Sequence, residues 1–177
     1  MNIRKYYYSL VFVLSTILSV GNIYTLKAAR IGQHLPNVQI RDAHNKAISI
    51  PYLGTRPLLI FYPDPDHPKC KFTDYLEEHP IPAKRMKAYG IVNMKDAPWY
   101  PNGIIRTAIR SKIKKTGQPI YTDPNRALAR GWGLGDCNNK FVIIIVDEHG
   151  RLLWLHKGEP NETAKREFWK IINRIKD

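Results

Sequence analysis

The order of apolar segments predicts an α/β protein: a three-layer fold in which a central mixed β-sheet is flanked by helices and preceded by an N-terminal β-hairpin. Three observations carry that expectation. Residues 57–62, 89–94 and 140–146 are nearly continuous apolar runs, the pattern of strands covered on both faces. The stretches 70–79, 102–115 and 161–175 instead repeat apolar residues at helical spacing. The third strand run turns through Asp147-Glu148-His149-Gly150 into Arg151-Leu152-Leu153-Trp154-Leu155, a hairpin with a glycine turn.

Taken in order, Val38-Gln39-Ile40 and Ala47-Ile48-Ser49-Ile50 alternate around a polar turn and form short edge strands. Residues 57–62 are a central strand. The helix from Cys70 to His79 carries Phe72, Tyr75 and Leu76 on its apolar side, and Pro80 and Pro82 end it. A short helix is expected around residues 83–88, then a buried strand over 89–94. Residues 102–115 form an amphipathic helix with Ile105, Ala108, Ile109 and Ile113 on one stripe and Arg106, Arg110, Lys112, Lys114 and Lys115 elsewhere. Its cations read first as a solvated face; the neighbouring Trp99-Tyr100 keeps a membrane-docking reading open. Residues 119–122 are a short strand, and Asp123-Pro124 starts a helix with proline in its first turn. In the closing helix Asn161 is the N-cap, which accounts for Asn161-Glu162-Thr163 without a glycan.

The N-terminus is set apart from this core. Arg4 and Lys5 precede an apolar stretch from Ser9 to Val20, and small residues follow at Gly21, Ala28 and Ala29, so residues 1–29 read as a signal peptide and 30–177 as one domain. The alternative is an uncleaved anchor over residues 6–26. Lys and Arg number 28 against 15 Asp and Glu, a formal charge of +13. Without Arg4, Lys5 and Lys27 the excess falls by three to +10. Export to the periplasm argues against nucleic acid as the partner and leaves a solvated cationic surface with weak attraction to an anionic envelope.

Two cysteines, Cys70 and Cys137, stand far apart without a Cys-x-x-Cys pair, and in an oxidising compartment they are candidates for one disulfide. No second Cys/His pair accompanies His67 and Cys70, so neither a metal nor another cofactor is expected. Cys70 follows the strand at 57–62 and opens a helix. There the unbonded backbone N–H groups, with Lys69 and Lys71 beside them, favour thiolate over thiol. Asp64 and Asp66 oppose that shift, could bind a hard cation, or simply make a rigid turn.

Pro63, His67 and Cys70 hold the spacing of the Pro-x-x-x-Thr/Ser-x-x-Cys motif that follows the same strand in peroxiredoxins, with His67 in place of the hydroxyl. The element order, together with Tyr121-Thr122-Asp123-Pro124 and residues 141–151, resembles the thioredoxin-like fold across nearly the whole mature chain. That resemblance brings the N-terminus of the Cys70 helix against the loop before residue 141. It implies that Cys137 lies near Cys70, as a resolving thiol or a structural bridge. It also implies an arginine just before Phe141, where Lys140 stands instead. A second resemblance, carried by Gly90-Ile91-Val92-Asn93, Lys95-Asp96-Ala97, residues 104–109 and the Asp147–Gly150 turn, is to the YtfJ family of exported bacterial proteins. That family is also thioredoxin-like, has no established activity, and does not depend on a cysteine at the position of Cys70.

The two resemblances agree on fold and export and differ on chemistry: the peroxiredoxin and thioredoxin-like one implies a protein of thiol-redox type, a thiol-disulfide oxidoreductase or a peroxiredoxin-like peroxidase. Cys70, Cys137 and His67 would be catalytic, with Asp64, Asp66, Lys69 and Lys140 binding. Its partner would be a periplasmic protein or a small oxidant. The rival expectation is a redox-silent thioredoxin-fold module that binds an envelope component.

Overall fold

The computed structural model describes residues 28–96 and 101–175. The expected leader up to Lys27, the alternative anchor over 6–26, and Trp99 with Tyr100 lie outside the described residues. The strands are β1 (Gln39–Arg41), β2 (Ala47–Ser49), β3 (Leu58–Pro63), β4 (Lys87–Asn93), β5 (Ile120–Asp123), β6 (Phe141–Val146) and β7 (Leu152–Lys157). The helices are α1 (Lys71–Glu78), α2 (Asn102–Thr116), α3 (Ala127–Gly131) and α4 (Glu162–Ile172), with a 3-10 turn at Met94–Asp96.

All seven strands join one sheet in the order β2-β1-β5-β4-β3-β6-β7. β3, β4 and β5 run parallel, while β1 and β6 pair antiparallel to β5 and β3. The C-terminal ends of the three parallel strands therefore meet the start of β6 at one edge. Pro63 lies opposite Phe141 there, and Asn93 opposite Asp123.

Successive side chains of a strand point to opposite faces, so a wholly apolar strand must be covered twice. β6 shows this directly. Val142, Ile144 and Val146 pack with Leu58, Ile60, Tyr62, Leu128 and Trp132 on one face. Phe141, Ile143 and Ile145 pack with Leu59, Phe72, Trp154 and Phe168 on the other. Each fully buried aliphatic or aromatic side chain contributes about 1.5–3 kcal/mol. On the second face Phe168 stands edge-on to Phe72 at 5.0 Å between ring centres, which locks α4 against α1.

Three expectations need correction. Residues 83–88 form no helix: 83–85 turn, and Lys87 and Ala88 already pair in parallel with Leu58 and Leu59. Good helix formers are overruled there because only a few residues separate Pro82 from a strand that the central sheet requires. Pro124 does not open a helix either; α3 begins at Ala127 after Arg126, which stands at φ 54°. On α2 only Ile109 is fully buried, Ala108 faces solvent, and Ile104 is 62% exposed.

Candidate functional site

Asp64 links the two loops that frame the site. It is fully buried immediately after β3, and its backbone N–H donates to the Lys140 carbonyl at 3.0 Å. One carboxylate oxygen accepts from the Asp66 N–H and the other from the Asn139 N–H, both at 2.9 Å. A carboxylate so placed acts as a brace between the loop entering α1 and the loop entering β6.

Cys70 is the N-cap residue of α1, with extended backbone angles of −142° and 130°. Its side chain makes no capping hydrogen bond. The cap comes from Glu159, in the loop between β7 and α4: one carboxylate oxygen accepts from the Lys71 N–H at 2.8 Å and from the Cys70 thiol at 3.2 Å. Gly158 lets the chain turn towards α1, since its φ of 83° is strained for a residue with a Cβ. The backbone N–H groups of Phe72 and Thr73 favour a thiolate, as the helix N-terminus predicts. Burial outweighs them. Together with the hydrogen bond to Glu159 and that residue's negative charge, it pushes the Cys70 thiol up to about 11. The thiolate expected near neutral pH is therefore not the resting state.

The remaining anticipated residues disperse. His67 and Lys69 are exposed, and no hydrogen bond joins either side chain to Cys70 among the described residues. Asp66 contributes its backbone N–H to the Asp64 brace. The Lys140 ammonium is engaged by Asp136, whose backbone carbonyl also accepts from Lys157 at 2.8 Å. Cys137 is buried on the opposite side of the sheet from Cys70, donating weakly to the Gly135 carbonyl at 3.6 Å. Burial pushes its thiol pKa up, against the charges of Lys157, Lys140 and Arg126. Both cysteines are free.

The same sheet edge holds polar residues that the sequence marks only as turn or motif positions, not as part of a site. Asp123 is fully buried and accepts from the Tyr62 hydroxyl at 3.1 Å and from the Ala127 and Leu128 N–H groups at 2.8 Å, so it ties β3 to the start of α3. Burial and the Asp123 charge hold the Tyr62 hydroxyl well above the usual tyrosine range. Asp96 accepts one hydrogen bond from the Asn93 side-chain amide and forms an ion pair with Arg126. Among the described residues no group of three or more His, Cys, Asp or Glu could hold a metal ion.

No protein-family model matches the chain, and no curated protein matches it. Solved structures do. A thiol peroxidase from Chromobacterium violaceum superposes with a TM-score of 0.55 at 14% identity, covering 83% of this chain and 88% of that one. The fold is thioredoxin-like. The thioredoxin domain of a thiol-disulfide oxidoreductase from Bacteroides vulgatus gives a TM-score of 0.54 at 14% identity, over 82% of this chain and all of that one (100%). An exposed lipoprotein thioredoxin from Streptococcus pneumoniae gives 0.54 at 11%, over 77% and 99%. At such identities the likeness establishes the fold alone. Among the described residues no helix is long and apolar enough to cross a membrane.

Proposed function

We propose that the protein is an exported thiol-redox protein of the bacterial envelope that rearranges disulfides in partner proteins through Cys70. The observation that carries this reading is the Cys70–Glu159 hydrogen bond at the N-terminus of α1, with the Lys71 N–H orienting the carboxylate. A nucleophile within hydrogen-bond reach of a base, itself oriented by a third group, is the arrangement that activates a thiol held as S–H. At a pKa of about 11 the thiolate is about one part in ten thousand at pH 7, so deprotonation has to accompany attack.

In this reading the S–H bond breaks as the proton passes to the Glu159 carboxylate and the electron pair stays on sulfur. That sulfur attacks one sulfur of a partner disulfide, forming a mixed disulfide. The second partner sulfur leaves with the S–S electron pair and takes the proton back from Glu159. A different thiol of the same partner then attacks the mixed disulfide and releases Cys70 as thiol. One partner disulfide is exchanged for another, so no external oxidant or reductant is consumed. Cys137, on the far side of the sheet, takes no part.

The test is reactivation of a scrambled disulfide-bonded protein. Wild-type protein and Cys137→Ser reactivate it, Cys70→Ser does not, and a mixed disulfide to Cys70 is trapped by acid quenching. Turnover unchanged in Cys70→Ser overturns the reading. The raised thiol pKa and the placement of the two cysteines in different core clusters favour a second reading, a redox-silent binding module, which predicts no turnover and no mixed disulfide for any variant.

A further inference from the structure

Helix α2 is held to the protein by little of its surface. Of its 15 residues only Ile109 is fully buried, while Ile105, Arg106 and Ile113 are half-buried. Residues three and four apart share a face, so Ile104, Ala108, Ser111 and Lys115 follow one another along a single outer line. Lys112 flanks that line on one side, with Thr107 and Lys114 on the other. Gly103, Ile104, Thr107, Ala108 and Ser111 make a shallow, mostly apolar concavity. The helix contains no acidic residue. Among the described residues no carboxylate pairs with Arg106, Arg110, Lys112, Lys114 or Lys115. Arg110 donates to the Ala43 carbonyl at 3.3 Å, which sets the helix beside the β1–β2 turn, where Arg41 and Lys46 outnumber the carboxylate of Asp42, itself hydrogen-bonded to the His44 and Lys46 N–H groups.

An exposed isoleucine among small residues, rimmed by lysines that pair with no carboxylate among the described residues, is a charge pattern that an anionic headgroup layer complements. We propose that the outer face of α2 docks on an anionic lipid bilayer, with Lys112, Lys114 and Lys115 on headgroup phosphates and Ile104 at the acyl boundary. The charge complementarity selects this occupant. A neutral apolar partner would leave the lysines desolvated without counter-charges, and the small-residue line lets the helix approach a soft surface closely.

Lysine-acetylation footprinting of the full chain tests this, because it reads contact at α2 whatever else binds the vesicle. With phosphatidylcholine–phosphatidylglycerol vesicles, Lys112, Lys114 and Lys115 are acetylated severalfold more slowly than without vesicles, whereas Lys87 is unchanged. Phosphatidylcholine vesicles give no protection. Lys115→Gln weakens the protection of Lys112 and Lys114 about fivefold, the effect of one cation near an anionic surface, and Ile104→Asn weakens it as well. Absent protection, or equal protection by both vesicles, overturns the proposal. Protection by a soluble polyanion but not by anionic vesicles also overturns it, in favour of a polymer partner.

Discussion

The Cys70 thiol donates to the Glu159 carboxylate at 3.2 Å although 89 positions separate the two residues in the chain. The same carboxylate oxygen accepts from the Lys71 N–H, so one acidic side chain both caps α1 and holds the thiol in its protonated form. That contact joins the N-terminus of α1 to the loop that enters α4.

Stability should therefore depend on alkaline pH through Cys70. Its folded-state pKa, about 11, is raised above the unfolded reference of 9.0. Its contribution is thus fully present below about pH 9 and is lost as pH rises through about 11. Burial also shifts Tyr62, Tyr89 and Tyr121 upward from the reference of 10.0, so they stay protonated in the folded protein and add their own loss of stability as pH rises past about 10. The difference between wild type and Cys70→Ser isolates the thiol. Urea unfolding of both proteins from pH 7 to pH 11 should show wild type losing more stability than Cys70→Ser.

Removing the Asp64 brace should be costly. Asp64→Ala leaves the Asp66 and Asn139 N–H groups without their acceptor at a buried site, and each hydrogen bond to a charged group contributes about 1.5–3 kcal/mol. A loss of about 3 kcal/mol or more is expected in urea unfolding. The half-buried Asp66, whose side chain carries no such load, should lose under about 0.5 kcal/mol as Asp66→Ala.

Gly131 at the end of α3 faces Val38, and a Cβ built at Gly131 would stand 2.6 Å from Val38 Cγ1. Gly131→Ala should destabilise by about 1–3 kcal/mol through overpacking. Val38→Ala in the same chain should relieve most of that cost, so the double-mutant cycle should show a favourable coupling.

Much of this architecture was legible in the sequence, because β3, β6 and the β6–β7 hairpin announce themselves by alternation and apolar runs. Cys70 was placed at a helix start by Pro63, the proline-rich turn and the period of Phe72 and Tyr75. What was not legible depends on partners distant in the chain. Lys87 and Ala88 look helical until β3 recruits them, and Asp123-Pro124 looks like a helix start until Asp123 is seen turning inward to Tyr62. Glu159 gave only a faint signal, an acid between Gly158 and Pro160 just before the N-cap Asn161. The raised thiol pKa is hidden from the sequence for the same reason. The helix N-terminus is a local feature that a sequence shows, whereas burial under α4 and contact with Glu159 arise only when the sheet is assembled.

The most direct test of Glu159 as the base for Cys70 is to follow iodoacetamide alkylation and disulfide exchange by the reduced protein against pH, in wild type and Glu159→Gln. Removing the carboxylate takes away both an acceptor for the thiol proton and a repelling charge, so the alkylation midpoint should fall from about 11. Disulfide exchange at pH 7 should nevertheless slow by about 10²-fold, within the range for loss of a positioned base. Opposite movement of the two rates is what the account predicts. If exchange instead speeds up in step with alkylation, or neither rate changes, Glu159 is not the base and the account is contradicted.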